Sequence, residues 1–403
     1  MLLVVIFTVF SQVLATIKID SLPISANFKQ LERGSTLVGH DRARIKALFS
    51  RHEKNQKRAR VKGVGIQPIG IEYTSKVGFG SPPTYYNLTI DTGSPYTWIG
   101  AQKKYVKTET SIKQGNQKFV VEYTVGYATG DHYKDLVTLS SSLSIAGTPF
   151  GVASESNFNV KDIDGVLGLG PTALGKHVLR PNTDELVPTV VDVLFAQKKI
   201  HRKIFGLSLT PFTSQGVSSG RLSFGKADPG RYTGKLNWLG VTRKEPCNTR
   251  WGFEQTIKYG KRVIQPSSTG IADAGTSLIY ITPQAFEAYS KSIRGSRFDE
   301  STQLLEIPKE SVGELKSLFF VINGVSYEFT PNAQLLPRSL NVKVRGKANA
   351  YYSLIGSLTD DEVEVGVNFI NGYVFSHRFY TAYDVSNSKI GFATTSSTYA
   401  NVD

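Results

Sequence analysis

NLTIDTGSPYTWIG (87–100) and TGIADAGTSLIYIT (269–282) are two stretches of one chain built to the same plan. Each runs apolar-x-Asp-x-Gly-Ser/Thr into a hydrophobic strand, and their aspartates, Asp91 and Asp273, stand 182 positions apart. A Gly-bearing apolar strand follows each: GVLGLG (165–170) after the first, NFINGYV (368–374) after the second. A lone Asp-Thr-Gly-Ser reads as a structural turn, since Asp, Gly and Ser are ordinary turn residues. Two copies at corresponding places in two half-chains point instead to a duplicated lobe, with Asp91 the partner of Asp273.

Pairing the aspartates has a chemical consequence. Two carboxylates within a few ångströms of each other share one proton over the acidic range. The ionised member takes a proton from water while the protonated member donates to a carbonyl oxygen, so one dyad supplies both base and acid. Gly93 and Gly275 let backbone amides approach the carboxylates, and Ser94 and Thr276 place hydroxyls within reach of their outer oxygens.

The rest of the chain is consistent with a large β protein. Its 403 residues include 37 Gly, 17 Pro, 22 Phe and 19 Tyr, which suits many short strands and turns. Only TVVDVLFAQKKI (189–200) and PQAFEAYSKSI (283–293) show clear helical periodicity. The N-terminal MLLVVIFTVFSQVLA carries an apolar core ending in Val13-Leu14-Ala15, which reads as a signal peptide over 1–15 and hence a secreted, extracellular protein without stable membrane insertion. Cys247 is the only cysteine, so no intrachain disulfide forms, and it reads as a buried thiol rather than a nucleophile. The six histidines are scattered and no phosphate-binding glycine loop precedes a helix, so no metal or cofactor is expected.

Charge is uneven. Residues 16–62 hold twelve Lys/Arg against four acids, which places +8 of the total +14 in a short arm. A nucleic-acid arm does not fit behind a secretory leader, so no nucleic-acid partner is expected. The arm mixes a possible strand with a short basic helix and ends near Lys57-Arg58, a dibasic pair of the kind processing proteases cut.

Taken together, DTGSPYTW, DGVLGLG, RLSFGKADPGRYTGKLNW (221–238), DAGTS and GVNFINGYVFSHRFYTAYDVSNSKIGFA (366–393) resemble the pepsin-type aspartic proteases. DAGTS and the 366–393 stretch, with LFFVINGVSYEFTPNAQLLPRSLN (318–341), are similar to fungal members of the polyporopepsin type. The resemblance covers roughly residues 68–397. It implies an all-β, bilobal pepsin-like fold with minor helices and a central cleft that takes extended polypeptide substrates. Asp91 and Asp273 fall on the catalytic positions, supported by Thr92, Gly93, Ser94, Gly275 and Thr276. Trp98, seven residues beyond Asp91, matches the family's partner for a flap tyrosine, here Tyr123 in VVEYTVGYATGDHY (120–133). Gly126 and Ser277 are carried over with them as flap or substrate-binding positions.

The resemblance divides the chain into a signal peptide (1–15), a basic propeptide (16–60), an N-terminal β lobe with Asp91 and the flap (61–240) and a C-terminal β lobe with Asp273 (241–403). Family propeptides fill the cleft and pair basic groups with its carboxylates until acid releases them, and nothing here singles out which lysine does so. The implied protein is a secreted, monomeric, acid-activated endopeptidase that cuts between bulky apolar residues and binds pepstatin-type inhibitors. A catalytically silent peptide-binding relative is the alternative; decayed members usually lose an aspartate, and both are present here.

Two residues depart from the family pattern. The flap tip reads Tyr123-Thr124-Val125-Gly126 where Tyr-Gly-x-Gly is common, which should stiffen it. Ala274 replaces a threonine that normally exchanges hydrogen bonds with Thr92 beneath the dyad, so a buried backbone group there is expected to lack a partner. Asn87-Leu88-Thr89 is the only Asn-x-Ser/Thr sequon, two residues before a catalytic strand.

Overall fold

The computed structural model describes residues 19–49, 72–123, 126–158, 160–182 and 184–402. The leader at 1–15, the Lys57-Arg58 pair and the flap-tip residues Thr124 and Val125 lie outside these. The protein is mostly β with short helices, as expected, and among the described residues no helix is long and apolar enough to cross a membrane.

Strand β1 (Ser21–Asn27) alternates strictly, burying Leu22, Ile24 and Ala26 while Pro23, Ser25 and Asn27 face out. It pairs antiparallel with Val217–Phe224 along its whole length. Helix α1 (Leu37–Phe49) follows, its start fixed by Thr36 Oγ1, which accepts from the Gly39 amide at 2.9 Å. The helix buries Leu37, Val38, Asp41, Ile45 and Leu48, and an acid among four apolar residues on a buried face requires a specific partner.

The first half of the remaining chain supplies β2 (Thr74–Phe79), β3 (Thr84–Asp91), β4 (Trp98–Ile99), β5 (Ile112–Tyr123), β6 (Gly126–Ser140), β7 (Leu143–Ser156) and β8 (Gly165–Gly168). β8 lies between β3 and β4, parallel to the first and antiparallel to the second. The second half repeats this arrangement. Phe369–Asn371 lies between Arg262–Ala272 and Ile279–Ile281, again parallel to the first and antiparallel to the second. Asp91 ends β3 opposite Gly168, and Asp273 follows Ala272, which stands opposite Asn371. The duplication read from sequence is therefore a repeated three-strand unit that delivers one aspartate from each half.

The halves are joined by pairing rather than by a linker alone. The C-terminal strands Phe379–Asp384 and Lys389–Thr394 leave the second half to pair with Ile204–Leu209 and Thr233–Gly240. Phe205 stacks on Tyr383 across this join at 4.5 Å between ring centroids. The two turns carrying the aspartates are held facing each other by that shared sheet.

Candidate active site

Each aspartate sits in a turn clamped to the strand threaded beside it. The Leu169 amide donates to the Asp91 carbonyl at 2.8 Å, and the Gly170 amide to the Ser94 carbonyl at 2.9 Å. In the second half the Asp273 amide donates to the Asn371 carbonyl at 3.1 Å, and the Tyr373 amide to the Thr276 carbonyl at 2.9 Å. The carboxylates are then oriented by matching donors. Asp91 Oδ1 accepts from the Gly93 amide at 2.8 Å and its Oδ2 from Ser94 Oγ at 2.5 Å. Asp273 Oδ1 accepts from the Gly275 amide at 3.4 Å and its Oδ2 from Thr276 Oγ1 at 2.6 Å. Both aspartates are buried.

Between them lies a guanidinium. Arg44 of α1 donates through Nη2 to Asp91 Oδ1 at 2.7 Å and to Asp273 Oδ1 at 2.8 Å, and through Nε to Asp273 Oδ2 at 2.6 Å. The two glycines leave room where this side chain enters: a Cβ on Gly275 would stand 2.1 Å from Arg44 Cζ, and one on Gly93 2.8 Å from its Nη2, so either would push the guanidinium off its place. Burial alone would raise Asp273, but the charge and hydrogen bonds of Arg44, with Thr276 and the Gly275 amide, hold its carboxyl below the usual range. Burial likewise opposes the Arg44 charge, and the two aspartates outweigh it. The sequence points to an unspecified lysine at this place; the structure puts Arg44 there instead. Its fork geometry explains the choice, since a planar guanidinium spans two carboxylates and an ammonium offers only a point charge.

The buried acid of α1 also has its partners. Asp41 accepts from the Ser277 and Leu278 amides at 2.8 and 3.0 Å and from the Tyr280 hydroxyl at 3.1 Å. Burial nevertheless pushes its carboxyl up to about 6 against those bonds. Ser277 thus meets α1 through its backbone. His40, beside Arg44 on the helix, is held down to about 4 by burial and by the Arg44 charge. Burial also pushes Glu72, on the same cavity wall, up to about 8 although Arg44 opposes it.

Tyr123 ends β5, and its hydroxyl accepts from Trp98 Nε1 at 2.8 Å. Gly126 opens β6 at a φ of 142°, its Cα packed where any Cβ would meet Asn157 Oδ1 at 2.6 Å. Tyr123 joins Phe158 and Val166 as the apolar wall of the cavity around the dyad. With α1 in place this cavity is about 60 Å³. That falls far below the several hundred Å³ of an open ligand site.

The expectation at Ala274 is corrected in part. Its amide donates to Thr92 Oγ1 at 3.0 Å, so that backbone group is satisfied from across the lobe junction. What the alanine removes is only the return bond a hydroxyl at 274 would make. Cys247 is buried, with its thiol pushed up to about 12 by that burial. The Asn87 side-chain amide donates to the Asp162 carbonyl at 2.6 Å, so the nitrogen a glycan would use is engaged in the folded strand.

Arg44, Asp41, His40 and Arg250 of this neighbourhood carry no local sequence signal. Arg44 is one of twelve basic residues in its segment, and its contact with Asp273 spans 229 positions. Comparison with known proteins agrees with the geometry. The family model described as "Eukaryotic aspartyl protease" matches residues 72–395. Polyporopepsin of Irpex lacteus is 43% identical over 332 residues, covering 82% of this chain and 96% of that protein. Cathepsin E of Rattus norvegicus is 28% identical, covering 81% of each. The crystal structure of the aspartic proteinase from Irpex lacteus superposes with a TM-score of 0.79 at 36% identity, covering 96% of this chain and all of that one. The chain belongs to the eukaryotic aspartyl protease family and is an aspartic-type endopeptidase.

Proposed function

We propose that the chain is the latent precursor of a secreted, monomeric endopeptidase that hydrolyses peptide bonds between bulky apolar residues at an Asp91/Asp273 dyad. The observation that carries this reading is the position of Arg44 Nη2, within 2.8 Å of the inner oxygens of both carboxylates. A water acted on by both acids has to bind at that point.

With α1 displaced, one carboxylate of the pair keeps the shared proton and the other is ionised. The ionised member removes a proton from water as its oxygen attacks the scissile carbonyl carbon, while the protonated member donates to the carbonyl oxygen. The tetrahedral intermediate collapses as the protonated carboxyl donates to the amide nitrogen and the ionised one takes a proton from a hydroxyl of the diol; the carbon–nitrogen bond breaks and the dyad again holds one proton. Ser94 and Thr276 orient the outer oxygens throughout. Tyr123, steadied by Trp98, closes over the substrate with Phe158 and Val166, a surface suited to large apolar side chains.

Residues 16–60 then act as an acid-released propeptide. β1 and α1 anchor it through strand pairing, through the Asp41 contacts and through Lys29, which pairs with Asp162 at 3.0 Å. Asp273 is depressed in the docked state, so its contribution to docking is present above the ordinary carboxylate value and lost as pH falls through the lowered one.

The test is cleavage of denatured haemoglobin at acidic pH by the secreted protein, with and without pepstatin, beside Asp91→Asn. Pepstatin-sensitive activity that is absent from the variant is expected. A folded, processed protein without activity would instead support a catalytically silent peptide-binding role.

A further inference from the structure

Arg250 precedes the strand Gly252–Tyr259 and is only 6% exposed. Its backbone amide donates to the Cys247 carbonyl at 3.1 Å, and its Nη1 donates to the Gly93 carbonyl at 2.7 Å. Its Nη2 donates to the Leu48 carbonyl, and its guanidinium carbon lies 5.5 Å from the centre of the Phe49 ring. The first two contacts are with the body of the enzyme. The last two are with the final turn of α1, the element the proposed activation removes.

The side chain is therefore positioned from the enzyme side, two residues along from Asp91, whether or not α1 is docked. It lines the same cavity as Asp91 and Tyr123. Among the described residues of that lining, the charged or titratable groups are His40, Arg44, Glu72, Asp91, Glu122, Tyr123 and Arg250, with Asp273 across the dyad and Cys247 behind. His40 and Arg44 depart with α1, and Arg250 is the cation that stays. A guanidinium held in a largely water-excluded wall binds a carboxylate more strongly than a neutral carbonyl, through charge-assisted and often paired hydrogen bonds.

We propose that Arg250 is a specificity-determining residue of the released enzyme, forming a cationic subsite beside the dyad that selects substrates with a glutamate or aspartate near the scissile bond. The helix end now on it, which offers an oxygen acceptor and a ring, is a contact such a substrate replaces. This inference rests on the displacement of α1 set out above.

The test uses the full chain after acid processing and matched peptides that differ only by Glu or Gln at each position within about three residues of the scissile bond. A free glutamate ionises near pH 4.3. The Glu-to-Gln ratio of kcat/KM should therefore reach about tenfold at one position near pH 5.5 and approach one near pH 3. Arg250→Gln should bring that ratio to one at both pH values, and Arg250→Lys should restore part of it. A ratio near one at every position in the parent enzyme overturns the inference without any variant, as does a pH-dependent preference that survives in a folded Arg250→Gln. Cleavage of neither peptide at any pH would contradict the dyad mechanism itself, and the inference with it; cleavage without preference contradicts the inference alone.

Discussion

Arg44 holds Asp273 through two hydrogen bonds, Nε to Oδ2 at 2.6 Å and Nη2 to Oδ1 at 2.8 Å, and spends the second donor on Asp91 as well. One planar cation thus satisfies both halves of the dyad. Hydrogen bonds to charged groups contribute about 1.5–3 kcal/mol each. Arg44→Gln should therefore convert to the processed form at least about tenfold faster near neutral pH. Arg44→Lys should fall between, since an ammonium cannot match the fork. Mass spectrometry of the chain over time at pH 6.5 reads both rates; an Arg44→Gln chain as latent as its parent would show that the guanidinium does not hold the segment closed.

His40 adds an acid-sensitive element one turn before Arg44. Among the described residues its buried Nε2 has no hydrogen-bond partner, and its pKa is lowered from 6.5 to about 4 by burial and by the Arg44 charge. The lowered value means docking keeps its full strength above pH 6.5 and weakens as pH falls toward 4, by up to about 3 kcal/mol. His40→Asn should therefore shift the midpoint of conversion to lower pH. A midpoint unchanged within the scatter of replicate titrations would remove His40 from the release mechanism.

Asp41 works in the opposite sense. Its pKa is raised from 3.8 to about 6, so its contribution to docking is complete below 3.8 and is lost as pH rises through 6. On the proposed release mechanism it gains between pH 6 and 4 about what His40 loses, each by about 3 kcal/mol, so the two groups largely offset each other. Asp41→Asn retains one acceptor oxygen but removes the titration. Conversion should then become steeper in this range. A flatter profile would contradict the opposition of the two groups.

The fold and the dyad were legible because the duplication was written twice in local pattern. NLTIDTGS with GVLGLG and TGIADAGTS with NFINGYV each form a strand, an acid turn and a threaded parallel strand, so similar sequence produced similar structure. Trp98 and Tyr123 were legible only through the family resemblance, because the 2.8 Å bond between them joins strands 25 positions apart. Arg44, Asp41 and Arg250 were not legible. Their contacts reach 229 positions from Arg44 to Asp273, 236 from Asp41 to Ser277 and 157 from Arg250 to Gly93, where composition records a charge but not its target. The same reason accounts for Ala274: the sequence shows a missing hydroxyl, while only the structure shows that Thr92 still accepts the amide at that position.

Ala274 offers the last test. It is buried at the lobe junction, and its amide is already satisfied by Thr92 Oγ1 at 3.0 Å. Ala274→Thr therefore has one hydrogen bond to gain, about 1 kcal/mol if the new hydroxyl reaches the first-half turn without strain. For a chain of this size that corresponds to a rise in Tm of about 2 °C, the lower end of the usual scale. Because the change lies beneath the carboxylates rather than on them, the pH profile of kcat/KM should keep its shape. Calorimetry of the Asp91→Asn background, which cannot digest itself, gives the Tm cleanly. An unchanged or lower Tm would mean that the junction has already repacked around the alanine, and that the one-sided bond from residue 274 to Thr92 is the complete form of the contact in this protein.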